Sequence, residues 1–424
     1  MPFLGMKGTG QFAANERPQN WREMILYLYP NGSAPLTAML SMLGSESTDD
    51  YIYNWWTKGL AEQQITGATL WTDAAMATTA VGAGPFLAGE TIYVQGPQAQ
   101  VQEFREGHQV LLRTPADQSD DVTGKVIGRT LAGATSSIAV RLLEDTPGGA
   151  ATDLDNVSMA LIIGNINPQG GVMPDAISYP PVQLSNRTQI FRTPLSITRT
   201  ARRTRLRTGD AYQEMKREAL ELHAIEMEKA FIWGVQSEVL GANGHPETTT
   251  AGVRSFIPGA NRMDYVAAVV PGTTWLQGGE DWLDAALEIS FRFGGTEKLA
   301  ICGSGALLGL NALAKVTGQI QLTPETTSYG LKVVNWITPF GNIYLKTHPL
   351  YSYQPSNRNS MLLLEPNKLK FRYIDDTNFI SDPEDRVNRN RSLDGTEEEF
   401  LTEAGLELHH PQAFAELQNV GVDA

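Results

Sequence analysis

Gln189-Ile-Phe-Arg192-Thr-Pro-Leu-Ser-Ile-Thr-Arg199-Thr-Ala-Arg202-Arg203-Thr-Arg205-Leu-Arg207-Thr208, with Asp210-Ala-Tyr-Gln-Glu214 directly behind it, decides how this chain is built. The stretch begins further back, at Ile177, and from there to Thr208 it holds seven arginines, Arg187 among them, and no acidic residue. Pro180, Pro181 and Pro194, with many β-branched neighbours, favour extended chain over helix. At ~3.3 Å per residue, such a limb would project well beyond a compact domain.

Behind the limb, Asp210 is placed to cap a helix, with Gln213 three residues on to complete a capping box. Tyr212, Met215, Ala219, Leu222 and Ile225 recur at helical spacing, and Leu220, Ala224, Met227 and Phe231 form a second stripe. The pattern predicts a helix running to about Val239, stopped by Gly241-Ala-Asn-Gly244.

Working outward, residues 1–50 read as an arm, because Gly5, Gly8, Gly10, Pro18, Pro30, Gly32 and Pro35 interrupt any long element and too few apolar groups remain for a separate core. Residues 51–84 and 166–208 read as two extended limbs, the first rich in aromatics (Tyr51, Tyr53, Trp55, Trp56). Between them, 85–165 holds five short strand candidates, Thr91–Gln95, Gln109–Arg113, Val122–Arg129, Ser137–Leu143 and Met159–Ile163, which predict an inserted β-barrel or sandwich. Residues 209–259 carry the long helix. Residues 260–374 read as α+β, with a hairpin of Leu331–Thr338 and Asn342–Thr347, and 375–424 as a charged return.

Composition excludes several classes. A net charge of −14 argues against a chain whose main task is to grip a phosphate backbone. With one cysteine, Cys302, no internal disulfide is possible, and the residue reads as a small buried hydrophobe suited to a reducing compartment. No stretch reaches the ~20 apolar residues of a membrane span, and the amino terminus lacks the pattern of a signal peptide.

Chemistry is equally sparse. Gly303-Ser-Gly305-Ala-Leu-Leu-Gly309 follows a strand and opens a helix, but its third glycine comes one residue late for a dinucleotide loop and no acid stands at a following strand end. The six histidines, His108, His223, His245, His348, His409 and His410, have no ligand spacing. His409 and His410 are expected to point to opposite faces of a strand. No nucleophile elbow or paired carboxylates stand out, so no catalytic, cofactor or metal site is expected.

Arm, double limb, long helix, mixed α+β domain and charged return follow each other as in the Hong Kong 97-type capsid fold. Leu331-Lys-Val-Val-Asn-Trp336, Met361-Leu-Leu-Leu-Glu-Pro366 and Thr402-Glu-Ala-Gly-Leu-Glu-Leu408 are the stretches in which the chain most resembles the major capsid (major head) proteins of tailed bacteriophages. The resemblance implies an α+β fold with an N-terminal arm, an extended loop (51–84, 166–208), a peripheral domain with a spine helix, and an axial domain over 260–374. It implies hexamers and pentamers of an icosahedral head around double-stranded DNA, assembled in the host bacterial cytoplasm. Partners would be other copies, with scaffold, portal and decoration proteins. DNA would be a neighbour by non-specific proximity, and no membrane is involved.

In that fold the extended loop lies across an adjacent subunit. A limb of arginines without acids cannot neutralise itself, so Arg199, Arg202, Arg203, Arg205 and Arg207 are expected to meet carboxylates of neighbours, either Glu214, Glu218 and Glu221 or Glu397, Glu398 and Glu399. Arg187, Arg192, Trp55 and Trp56 are assigned to the same intersubunit surface. Two alternatives stay open: an encapsulin-like compartment shell, distinguished by protein cargo in place of nucleic acid, and a non-viral β-rich surface protein, disfavoured by the long helix and the missing export signal.

Overall fold

The computed structural model describes residues 36, 40, 44–59, 61–80, 83–115, 117–146, 154, 156–204, 210–317, 321–328, 331–381 and 395–424. Most of the expected arm, together with Arg205 and Arg207, lies outside these residues. The chain divides into two compact units: Lys58–Val182, and the described residues up to Thr57 together with Gln183–Ala424.

The Lys58–Val182 unit is a seven-stranded sheet in the order Gln64–Thr66, Met159–Asn165, His108–Thr114, Asp117–Thr130, Ser137–Leu142, Thr91–Gln95, Thr69–Trp71. Period-two burial builds it. Along His108–Thr114 every second residue, His108, Val110, Leu112 and Thr114, is buried. Val110 and Leu112 meet Ile65, Ile92, Val94, Val122, Val126, Ile138 and Val140 in one core. Its two edge strands, Gln64–Thr66 and Thr69–Trp71, are consecutive in sequence, joined through Gly67 at φ +65°, a conformation glycine adopts without strain. All five expected strands are present. The expected boundary at 85 is corrected, because the unit starts at Lys58 and two strands assigned to the first limb belong to its sheet.

In the other unit, a four-stranded sheet runs Ser45–Ser47, Leu369–Ile380, Gly395–Leu408, Gln189–Thr198. The long helix Ala211–Trp233 packs on it through Met227, Phe231 and Ile232, with the Phe231 ring edge-on to Phe191 at 6.1 Å and to Phe371 at 6.0 Å. Asp210 caps the helix by accepting from Tyr212 N. The helix ends six residues before Val239. Gly234 leaves it at φ −55°, ψ 151°, and Ser237–Leu240 pairs with Pro246–Thr249 as a hairpin. The turn is close, since a Cβ at Gly234 would lie 2.4 Å from Ala230 O. Only part of the expected stripe is inward: Ala219, Met227 and Phe231 are buried while Leu220 and Leu222 are exposed.

A second, mixed sheet takes the order Arg262–Asp264, Ala415–Gln418, Met361–Leu364, Glu297–Cys302, Gly341–Thr347, Leu331–Thr338, Gln321–Ser328. Its central strand Glu297–Cys302 is buried on both faces. Leu299 and Ile301 enter the core of the long helix, and Ala300 and Cys302 face Trp275–Phe291 and Ser304–Thr317. Burying each large apolar side chain contributes roughly 1.5–3 kcal/mol. The carboxyl-terminal return is corrected in one respect: Gly395–Leu408 joins the four-stranded sheet, but Ala415–Gln418 crosses into the mixed one. The α+β class holds.

Candidate assembly surface

The arginine limb is positioned by the strand Gln189–Thr198, an edge strand paired antiparallel with Gly395–Leu408 of the same chain. Phe191, Leu195 and Ile197 point inward, leaving Arg192 and Pro194 outward. An edge tolerates Pro194, since no ladder bond is needed on the free side. Arg192 stands opposite Leu401, so Glu399, opposite Pro194, is its diagonal neighbour on the same face. The two form a bidentate pair at 2.7–2.9 Å. Glu399 was expected on a neighbouring copy; strand register supplies it from within.

Thr198 then accepts from Ala201 N and caps the short helix Arg199–Arg203. The guanidinium of Arg202 sits 4.8 Å over the Tyr212 ring, an arrangement worth roughly 0.5–1 kcal/mol at an exposed site. Tyr212 in turn donates to Glu398 Oε2 at 2.6 Å. Burial, and then that carboxylate, hold the phenol above its usual range. Glu398 is therefore a buried intrachain acceptor, a second correction. Arg199 and Arg203, with Thr200 and Thr204, border an open cleft, and both arginines are exposed.

Arg187 pairs with Glu238 of the hairpin at 2.9 Å. Its neighbour Asn186 is wholly buried and donates to Leu406 O, Ala251 O and Thr250 Oγ1, which fixes the limb to the body. Trp55 is also corrected. It is 6% exposed, its indole donates to Leu408 O at 3.1 Å, and it packs edge-on against Phe256. Strand alternation turns the adjacent Trp56 outward, 62% exposed. Glu218 and Glu397 are exposed, and Glu214 and Glu221 half-buried.

Three polar contacts were not anticipated. Glu228, fully buried on the inner face of the long helix, accepts from Leu36 N at 2.8 Å and from His348 Nε2 at 2.7 Å. His348 Nδ1 accepts from Leu350 N, so its proton resides on Nε2. His223 bridges Thr193 and Thr402 at 2.9 and 2.7 Å, and burial pushes its proton affinity down. Lys298 is buried, donates to Ala413 O, and is pulled down to about 8 by loss of water. Glu228 falls next to Met227 on the inward side of the helix and Lys298 opens the apolar run Leu299–Cys302, the sequence signals for two of these.

The glycines of this stretch allow close approach: a Cβ at Gly303, where the strand passes into the helix, would lie 2.2 Å from Arg358 O, and one at Gly309, inside the helix, 2.5 Å from Gly421 Cα. His409 and His410 are not strand residues. The strand ends at Leu408, and His410 takes φ +53° ahead of Pro411. Cys302 is buried, its thiol pushed up to about 12 by burial. Among the described residues no cluster of His, Cys, Asp and Glu could hold a metal ion, and no helix is long and apolar enough to cross a membrane.

The family described as SU10 major capsid protein matches residues 7–421. A major capsid protein of Pseudomonas phage PaMx41 is 25% identical over 367 residues, covering 84% of this chain and 78% of that one. Among solved structures, one of Mycobacterium phage Bobi aligns with 96% of each chain at TM-score 0.44 and 8% identity. The capsid of a native GTA particle aligns with 98% of each at TM-score 0.43 and 8% identity.

Proposed function

From the premise that this chain belongs to the SU10 major capsid protein family, we propose that copies of it assemble, as hexamers and pentamers, into a closed icosahedral shell around double-stranded DNA in the host bacterial cytoplasm. The observation that carries this reading is the Arg199–Arg203 helix. It ends an edge strand, its exposed Arg203 borders an open cleft, and the segment from Ile177 to Thr208 contains no acid to answer it. Bidentate guanidinium contacts to carboxylates of an adjacent copy, with exposed Glu218 and Glu397 as candidate acceptors, would set the register between copies.

The arm over 1–50, the limbs 51–57 and 183–208, and the outward Trp56 are assigned to contacts between copies. Scaffold, portal and decoration proteins are further partners of the assembled shell. The net charge of −14 suits an inner wall that DNA touches without sticking. Negative-stain microscopy of the chain expressed alone tests the reading: closed shells, tubes or capsomers are expected. Arg199→Glu with Arg203→Glu should leave folded monomers that do not assemble. Normal shells from that variant would remove the arginine limb from the mechanism, and nucleic acid within particles separates a viral head from an enzyme compartment.

A further inference from the structure

Two exposed features lie on the helical side of the mixed sheet. One is a groove floored by Leu283, Leu287, Trp336 and Ile337 and walled by the carboxylates of Glu280 and Asp284. Its wall belongs to the helix Trp275–Phe291, whose outer side also carries exposed Asp281 and Glu288. The other is a face of the helix Ser304–Thr317. There Leu308, Lys315 and Val316, at positions i, i+7 and i+8, stand outward together, with Leu308 62% and Val316 65% exposed.

The groove is apolar with a negative rim; the helix face is apolar with a cation. They cannot meet within one chain. Both helices are held to the same sheet through one core, and the Trp275 indole donates to Gly309 O at 2.9 Å, locking one helix to the other. Leu308 and Val316 stand in water beside a lysine, and the groove offers an apolar floor with an acidic rim, so the two surfaces are complementary in polarity and charge.

We propose that the groove receives the Leu308–Lys315–Val316 face of a second copy, with Lys315 set against Glu280 and Asp284. This rests on the shell reading above. Such a contact is heterologous: each copy that offers its knob still has a vacant groove, so copies add head to tail, in a ring where the rotation per copy closes and in an open filament where it does not. Charge supplies the direction. Groove against groove would bring like carboxylates together, and knob against knob would leave Lys315 unanswered, so only the head-to-tail pairing is electrostatically matched.

The test uses the full-length chain, with assembly followed by light scattering and negative-stain microscopy. Lys315→Glu should raise the concentration needed for assembly about tenfold or more while leaving the thermal melt in place. Adding Glu280→Lys and Asp284→Lys to that variant should restore assembly, because the pairing is then reversed in sign. Lys315→Met, which keeps the apolar stem, should fall between the parent and Lys315→Glu. If Lys315→Glu assembles as the parent does, this contact is refuted while the shell reading stands, and the groove is left for a different protein. If the triple variant is folded but does not recover, the pairing is refuted as well. A parent chain that forms no assembly at any concentration refutes both readings together.

Discussion

Where the Lys58–Val182 unit buries Ile65, Ile92, Val110, Leu112 and Ile138, the other unit buries Glu228, Lys298, Glu407 and Glu416 alongside its apolar groups. Among the described buried residues of the first unit there is no carboxylate and no lysine. Three of its six strand pairings join consecutive strands, and alternating apolar residues set register along all of them. The second unit joins segments hundreds of residues apart, and its buried charges sit at those joins. Glu228 links Leu36 to His348, Lys298 reaches Ala413, and Arg254 meets Glu416. Charge inside this body specifies which distant segments meet, and apolar packing supplies most of the stability.

Glu228→Ala would test that contrast most severely. It should cost ~3–5 kcal/mol, because the Leu36 amide and the His348 ring would be left buried without an acceptor. Denaturant melts should show this loss in the body and leave the inserted sheet's transition where it was. An equal shift of both transitions would mean that the two units unfold as one.

A second test is pH. Burial holds His223 below its ordinary value of 6.5, so the folded state takes up a proton less readily than the unfolded chain. Its contribution is present above 6.5 and is lost progressively as the pH falls below that value toward the folded one. The body's melting temperature should drop in that window, and the insert's should fall with it, because burial and then Arg105 hold its own His108 down in the same way. In His223→Gln the drop should be shallower.

Ile138→Val in the insert should cost about 1 kcal/mol, read only in the insert's own transition. Arg192→Ala should cost the least, about 0–1 kcal/mol, because its pair with Glu399 is largely solvated on the arginine side. A larger loss would mean that strand register depends on this ion pair as well as on Phe191, Leu195 and Ile197.

Much of this was legible in the sequence. The five insert strands, the hairpin at 331–347 and the start of the long helix follow from period-two patterns, turn residues and an aspartate cap, all of which are local signals. The failures were non-local. Ile65 and Leu70 look like strand residues, yet nothing near them says that their partners are Met159–Asn165 and Thr91–Gln95. Arg192 and Glu399 are 207 residues apart, and only the register of two strands puts them face to face. The helical spacing runs on past the true end at Trp233, because it does not register the break that Gly234 makes before Val235 and Val239. The structure leaves both of them exposed.

Ile52–Thr57 and Val182–Arg187 are hydrogen-bonded neighbours in a two-stranded ribbon, and the chain leaves for the Lys58–Val182 unit and returns from it at the ends of those two strands. A cassette joined at Thr57 and Gln183 therefore needs only to bring its two termini within strand spacing, whatever its own size. The ribbon is a ready-made grafting point, at which a foreign domain could replace the native one while leaving every ladder bond of the body in place.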